Sequence, residues 1–304
     1  MEMTSPPTRT DDRRTAAETV ADWRIRLDAH GEIHGMHRVL DARHGVVFTD
    51  EEADTLLVSF ETAAEMRENG VGLPEALRVA GREGWSQLCL YCEGDSFFRT
   101  EAVFAYIDEL VDSGFFDGFG RVVFYGAGPC GYAAAAFSVA APGAIVVLAR
   151  PLATLDPARA GWDHRYPALR RADFTSRYGY APEMLEAASR VFLIFDPEIP
   201  ADAIHAALFN LPEESLLRCR RLGPAPERDL ERMGVLALLL SAAGHGRLDA
   251  ATFFRLYRRR RSYRPYLQRI LTLLRTENRA GLYRLWANGV RAQIAPDGQG
   301  RATG

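Results

Sequence analysis

The sequence of 304 residues contains no lysine, and all 37 of its basic residues are arginine. The absence of lysine excludes Schiff-base chemistry and the lysine of a phosphate-binding P-loop. An all-arginine set would suit bidentate contacts with anions, but codon bias in an alanine- and arginine-rich proteome explains it more simply. Because 40 acidic residues balance the 37 basic ones, we do not expect a globally basic nucleic-acid-binding protein.

Long hydrophobic runs and a disulfide framework are also missing. The longest apolar stretch, AAAAFSVAAPGAIVVLA, is interrupted by Pro142 and Gly143, so no membrane span is predicted. The first 20 residues are polar and contain no apolar signal-peptide core, which predicts a disordered tail. Four cysteines in a chain of this length favour reduced thiols, and together these features predict a cytoplasmic protein.

Seven short apolar runs alternate with helix-length segments between about residue 38 and residue 225. The runs are continuous rather than alternating, which is typical of strands covered on both faces. They are residues 45–48, 55–60, 86–92, 121–125, 144–149, 191–195 and 215–220. The segments 62–83 and 100–114 between them are predicted helices. This pattern predicts a three-layer α/β/α sandwich around a mostly parallel sheet.

After about residue 226 every apolar pattern has the period of a helix. We therefore expect a disordered tail over 1–20, an α/β domain over 21–225, a helical C-terminal appendage over 226–291 and a loose tail over 292–304. Within the appendage, the stretch RLYRRRRSYRPYLQR interleaves arginine with tyrosine. It fits either an amphipathic helix with solvated arginines or a module that docks a protein partner or an anionic surface.

The stretch VVFYGAGPCGYAAAAFS, residues 122–138, combines a strand, a glycine-lined turn and a helix of small residues. A strand that turns directly into a helix needs small residues two positions before and after the apex of the turn. Gly126 and Cys130 hold those positions around Gly128, and Gly131 follows. The pattern is typical of the turn that carries the nucleophile of an α/β-hydrolase.

The segment FYGAGPCGYAAAAFS resembles the YGxSMGGYAALxFS elbow of a bacterial branch of the α/β-hydrolase-like superfamily. The upstream segments TLLVSFETA and GDSFFRTEAVFAYIDEL and the downstream segment VFLIFDP match the same branch, so the resemblance covers residues 38–225. It implies an α/β-hydrolase-like fold with the nucleophile at Gly128 and the acid at Asp196. It also places Thr62 on the oxyanion side and Tyr132 just behind the elbow.

The chain departs from this pattern at the residues that perform hydrolysis. Gly128 replaces the serine, and Gly223-Pro224-Ala225 replaces the turn that should hold the histidine. Pro129 lacks the N–H that an oxyanion hole takes from the residue after the nucleophile. Because the triad members act as a unit, serine hydrolysis is not expected. The leading interpretation is a non-hydrolytic protein, without a cofactor, whose cleft binds an acyl or sugar-like small molecule or a partner.

Cys130 leaves a second interpretation open. It lies in the first turn of the predicted helix, where free N–H groups would lower the pKa of its thiol. With Asp196 and His205 it would form a thioesterase or acyltransferase, and His245 is a weaker candidate for the base. Alternatively, Cys130 is a small residue that fills the place of a glycine, Asp196 accepts loop amides, and His205 pairs with a carboxylate.

Other motifs suggest no metal or redox site. Cys89 and Cys92 are three residues apart in a predicted strand and point to opposite faces, so neither a disulfide nor a shared metal is expected. The four histidines between residues 30 and 44 fit a solvated strand and loop better than a metal site. Similar proteins are sometimes labelled phosphoadenosine phosphosulfate reductase, but the Ser-Gly-Gly-x-Asp-Ser loop and C-terminal Cys-Gly motif of that enzyme are absent.

Overall fold

The structure is a computed structural model that describes residues 20–94, 96–169 and 172–294. The predicted tail over residues 1–19 and the last residues of the predicted loose tail, 295–304, lie outside this range. No helix in the described part of the chain has both the length and the apolar character needed to cross a membrane.

The centre of the fold is a sheet of eight strands in the order β1-β2-β4-β3-β5-β6-β7-β8. The pairs β1–β2 and β2–β4 are antiparallel, and all other neighbours are parallel. The strands are β1 (Gly35–Val39), β2 (His44–Thr49), β3 (Thr55–Thr62), β4 (Ser86–Cys92), β5 (Arg121–Ala127), β6 (Ile145–Ala149), β7 (Arg190–Phe195) and β8 (Leu216–Arg218).

The strand order reverses at β3, because β4 lies on one side of it and β5 on the other. In an open parallel sheet such a reversal leaves a crevice at the carboxyl ends of the strands, where ligands bind. The segments that follow β3 and β5, including Thr62 and Gly128, therefore border the same crevice.

Twelve α-helices occur in the described residues. They are α1 (Val20–His34), α2 (Ala63–Glu68), α3 (Leu77–Glu83), α4 (Glu101–Asp112), α5 (Pro129–Phe137), α6 (Pro157–Ala160), α7 (Pro200–Leu208), α8 (Pro226–Arg232), α9 (Leu236–Gly244), α10 (Ala250–Tyr257), α11 (Arg264–Thr276) and α12 (Ala280–Ile294). Thr100 begins α4 by accepting a hydrogen bond from Val103 N–H, which satisfies one of the free amides of the first turn.

The sheet is covered on both faces, as a three-layer α/β/α sandwich requires. Helices α4, α5 and α7 contribute to the large core on one face, where the alanines of α5 pack against the sheet. Helices α3, α8, α9 and α10 contribute to the core on the other face. The first helices after residue 226 therefore cover the sheet, and the division at residue 225 stays a prediction.

The predicted fold class is confirmed, and each of the seven predicted strands overlaps an observed one. The helix-length segment 62–83 contains two helices, since α2 ends at Glu68 and α3 begins only at Leu77. Gly70 and Gly72 have φ values of 77° in the interval, which a helix does not accommodate.

The N-terminal prediction of a strand and loop is wrong in part, because residues 20–34 form α1 and only 35–39 form a strand. Gly31 lies within this helix, where a Cβ would come 2.3 Å from the backbone nitrogen of His37. The glycine that suggested an interrupted segment instead allows close packing of the helix on β1.

Candidate functional site

Gly128 alone connects β5 to α5. Its φ of 56° and ψ of −123° lie outside the regions that residues with a side chain readily adopt. Gly126 and Gly131 allow the turn to close, since a Cβ would lie 2.2 Å from Cys130 O in the first case and 3.1 Å from Gly126 O in the second. The backbone thus has the sharp strand-to-helix turn of a nucleophile elbow, with no side chain at the apex.

The guanidinium of Arg150 occupies the space beside Gly128. A Cβ on Gly128 would lie 2.8 Å from Arg150 Nη1 and 3.3 Å from its Cζ. Arg150 Nε donates to both carboxylate oxygens of Glu227, at 2.9 and 3.1 Å, and Nη2 lies 2.9 Å from Oε1. Burial alone would lower the pKa of Arg150, but attraction to Glu227 raises it above its usual value. A partly buried ion pair therefore occupies the position of a nucleophilic side chain.

Thr62 and Pro129 lie where an anion site would be expected, but neither offers a hydrogen-bond donor to an anion. Pro129 is the first residue of α5 and has no N–H to donate. Thr62 caps α2, because its hydroxyl accepts from Glu65 N–H at 3.2 Å and donates to Glu65 Oε2 at 2.8 Å. Stabilisation of an oxyanion requires preorganised donors at this place, and neither residue provides one.

Asp196 fixes two loops at the carboxyl edge of the sheet. Its buried carboxylate accepts Glu198 N–H at 3.0 Å and Gly223 N–H at 2.7 Å. Gly223 belongs to the turn in which the resemblance places the histidine. The aspartate therefore contacts that turn, where it binds a backbone amide in place of an imidazole.

His205 belongs to a separate buried cluster. Its Nδ1 accepts Ala153 N–H at 3.2 Å, so Nε2 carries the proton and donates to Asp163 Oδ2 at 3.0 Å. Burial lowers the pKa of His205. For Asp163, burial alone would raise the pKa, but hydrogen bonds from Arg165 and His205 lower it to about 2. Both ring nitrogens of His205 are thus engaged within this cluster.

Cys130 is buried beside Cys92. A hydrogen bond with Cys92, together with burial, raises the pKa of the Cys130 thiol well above its usual value. The expected lowering by the helix N-terminus is therefore wrong, because the interaction with Cys92 and the loss of solvation both act in the opposite direction. No hydrogen bond in the described residues joins Cys130, Asp196 and His205, so the structure does not bring the three predicted catalytic residues together.

Tyr132 connects α5 to the loop after β6. Its hydroxyl accepts from Arg99 Nη1 at 2.9 Å and donates to the carbonyl oxygen of Tyr178. Burial raises the pKa of Tyr132 to about 12. The residue is fully buried, which gives it a structural position behind the elbow.

A cavity of about 570 Å³ lies beside the elbow, and Ala127 and Cys130 are among its lining residues. It lies between α2 and α3 on one wall and α8 and α9 on the other, with Tyr125 and Cys130 at its base. Ten of its 21 lining residues are charged, four of them arginines and six of them glutamates: Glu61, Glu65, Glu68, Glu75, Glu227 and Glu231. About half of the residues that line the crevice beside β3 are thus charged.

Two carboxyl groups of this cavity share a hydrogen bond. Burial and the proximity of Glu231 raise the pKa of Glu75 to about 7, although Arg78 Nη2 donates to Glu75 Oε2 at 2.8 Å. Burial also raises the pKa of Glu61, whose carboxylate accepts Glu75 N–H at 2.6 Å. Burial and the surrounding glutamates raise the pKa of Tyr125. The cavity therefore holds acidic groups that burial and neighbouring carboxylates make harder to ionise.

Sequence reasoning missed Arg150, Glu227 and the pair formed by Glu75 and Glu231. The position of Arg150 beside the elbow follows from the pairing of β5 with β6, because Ala127 lies opposite Ala149. The next residues of the two strands, Gly128 and Arg150, are then neighbours. No sequence signal connects Glu227 to them, since it lies 77 residues after Arg150.

No protein-family model and no curated protein matches the chain. Among solved structures, the glycosylation-associated protein (Gap123) complex from Streptococcus agalactiae is similar with 14% identity, over 67% of this chain and 46% of that one, at a TM-score of 0.46. A putative thioesterase from Silicibacter sp. TM1040 has 15% identity over 64% of this chain and 82% of its own, at a TM-score of 0.40. An esterase from Pyrobaculum calidifontis has 15% identity over 77% and 96%, at a TM-score of 0.38.

The chain thus spans less than half of the matched chain from Streptococcus agalactiae. Identities and TM-scores at this level carry no argument about activity, substrate or partners. The α/β-hydrolase-like fold rests on the eight-stranded sheet, its flanking helices and the turn at Gly128.

Proposed function

We propose that the protein binds a polar small molecule in the cavity beside Gly128 and does not hydrolyse it. The observation that carries this proposal is the Arg150–Glu227 ion pair, which occupies the position of a nucleophile. Pro129 supports it independently, because the elbow lacks the amide that would stabilise an oxyanion. The fold retains the crevice of a hydrolase without the groups that perform acyl transfer.

The lining of the cavity favours a hydroxyl-bearing, sugar-like ligand over an acyl chain. Its volume of about 570 Å³ suits a small molecule. Glutamates accept hydrogen bonds from hydroxyl groups, and arginines donate to them, so ten charged lining residues fit a ligand with many hydroxyls. An acyl chain would instead desolvate these groups without forming hydrogen bonds to them.

Saturation-transfer NMR with a panel of mono- and disaccharides tests this proposal. The variant Ala237→Phe places a larger side chain in the wall of the cavity and should abolish the transfer. Ala242→Phe is the matched control, because Ala242 is equally half-buried on α9 but does not line the cavity. Transfer that is absent from the wild type, or equal in both variants, would contradict sugar binding at this place.

A second experiment addresses hydrolysis directly. We expect no turnover of aryl esters or acyl thioesters above the buffer rate, by either the wild type or Cys130→Ala. Turnover by the wild type that disappears in Cys130→Ala would replace this proposal with the cysteine-dependent thioesterase or acyltransferase. The sequence-based expectations of a cytoplasmic location and of no cofactor stay predictions.

A further inference from the structure

The positive charge of the chain is concentrated at its C-terminal end. Residues 250–294, here called the arginine-rich segment, contain eleven arginines and one glutamate. The whole chain has 37 basic and 40 acidic residues, so the remainder of the molecule is acidic. A charge distribution of this kind creates a positive field over one part of the surface.

Much of this charge is not neutralised within the molecule. Arg258, Arg261, Arg264 and Arg275 are exposed and form no ion pair with a carboxylate in the described residues. Arg269 is different, because its Nη1 lies 2.5 Å from Asp229 Oδ2. Four guanidinium groups are therefore free to bind an external anion, and each can bind a phosphate through two hydrogen bonds.

An apolar stripe lies on the last helix of the same segment. Leu282, Leu285 and Trp286 are 44%, 70% and 39% exposed. Their spacing of three and four residues places them on one face of α12. Val290, one turn after Trp286 on the same helix, is buried, and α12 packs on α11. The stripe thus borders the buried side of α12, and its three side chains remain exposed to solvent.

We propose that the arginine-rich segment binds the surface of an anionic membrane, with Leu282, Leu285 and Trp286 inserted at the level of the lipid headgroups and the free arginines on lipid phosphates. An amphipathic helix with leucine and tryptophan on one face and arginine beside it is typical of helices that lie in the plane of a membrane interface. Each basic residue near an anionic bilayer strengthens binding about fivefold.

The apolar stripe distinguishes a membrane from a nucleic acid. A nucleic-acid surface would engage the arginines, and an aromatic ring would stack on bases, but aliphatic leucines have no comparable contact there. Leu285 is the most exposed of the three, and a bilayer interface gives it an apolar environment. An anionic membrane can therefore bind both the free arginines and the apolar stripe, whereas a nucleic acid would bind only the arginines.

Flotation of the full chain with vesicles tests this inference. We expect binding to phosphatidylcholine–phosphatidylglycerol vesicles, weaker binding at high salt, and little binding to phosphatidylcholine alone. Replacement of Arg258, Arg261 and Arg275 by glutamine should weaken binding on the order of 100-fold. The matched control is Arg38→Gln with Arg177→Gln, which removes exposed arginines that pair with Glu109 and Asp108 near α4.

Quenching of tryptophan fluorescence by spin-labelled lipid identifies the residue that enters the interface. Trp286→Phe should lose most of the quenching, whereas Trp162→Phe, which alters a tryptophan of similar exposure at 37%, should retain it. Circular dichroism melts of all variants separate loss of binding from loss of folding. Absence of flotation, equal binding to both vesicle types, or quenching that survives Trp286→Phe would overturn the inference, as would vesicle binding that single-stranded RNA displaces completely.

Discussion

Nη1 of Arg150 lies 2.8 Å from the point at which a Cβ of Gly128 would stand. The two residues follow paired positions at the ends of β5 and β6, so the contact is a direct result of the sheet register. A serine at residue 128 would have to displace the guanidinium from its carboxylate. Glycine at the apex and arginine beside it therefore form one structural unit.

The variant Gly128→Ser should remain inactive and become less stable. A side chain at a φ of 56° costs about 1–3 kcal/mol, and contact with Arg150 adds to that penalty. The control is Gly143→Ser, because Gly143 has a φ of 85° but no atom within 4 Å of its added Cβ. Urea denaturation and an aryl ester assay measure the two effects. Ester turnover by Gly128→Ser, or equal destabilisation in both variants, would contradict this account.

The Arg150–Glu227 pair should contribute strongly to stability through its burial. Arg150→Met leaves a carboxylate that is 8% exposed without its partner, so we expect a loss of about 3 kcal/mol in the free energy of unfolding. Arg38→Met, which breaks an exposed pair with Glu109, should cost less than about 1 kcal/mol. The double variant Arg150→Met with Glu227→Met should lose less than the sum of its single changes. Additivity in this double-mutant cycle would argue against direct coupling.

The strands were predictable because their apolar runs are continuous, and a fully covered parallel sheet leaves that pattern in the sequence. Strand β1 has no apolar run, because its residues are half-buried or exposed, and only the solvated strand and loop predicted between residues 30 and 44 indicated it. Helix α1 was missed because Gly31 and its polar residues resemble a loop. Its stability comes from buried Trp23 and Leu27, a tertiary effect that a local pattern does not contain.

The elbow was predictable because close backbone contact restricts residues 126, 128 and 131 to glycine or nearly so. The charged groups around it were not. Glu227 reaches Arg150 from 77 residues away, and the Glu75–Glu231 contact joins two segments that only the fold brings together. The interpretation of His205 as the partner of a carboxylate agrees with its hydrogen bond to Asp163, but that partner could not be identified, because Asp163 lies in the long segment after β6, which has no recognisable motif.

The thiol of Cys130 should react slowly. All four cysteines are buried, and Cys130 has a raised pKa because of Cys92 and its burial. At neutral pH we therefore expect alkylation by iodoacetamide to be much slower than in denaturant, where the same thiols are exposed. Peptide mass spectrometry assigns the modified residue. Rapid and selective modification of Cys130 in the folded protein would restore it as a candidate nucleophile.

The contribution of Glu75 to stability should decrease as the pH rises from about 4.5 to about 7. Glu75 has a pKa of about 7 in the folded protein and an ordinary value of 4.5, so the folded state binds more protons over this interval. After allowance for partial solvent exposure, we expect a decrease of about 1–2 kcal/mol in the free energy of unfolding. Denaturation of Glu75→Gln across this pH range should show a smaller slope.

Glu68→Gln is the control for that measurement, because Glu68 is an exposed glutamate of the same cavity. It should leave the slope of the wild type unchanged. If Glu75→Gln and the wild type lose stability equally between these pH values, another group is responsible for the pH dependence.

The ion pair beside the elbow also restricts how a serine nucleophile could arise in this chain by substitution. A serine at residue 128 meets the guanidinium of Arg150, whereas loss of that guanidinium leaves the carboxylate of Glu227 buried and unpaired. Either substitution alone lowers stability. Neither produces a complete site, because Pro129 would still provide no amide to an oxyanion. A serine nucleophile at this turn would therefore need several coordinated substitutions, at residues 128, 129, 150 and 227.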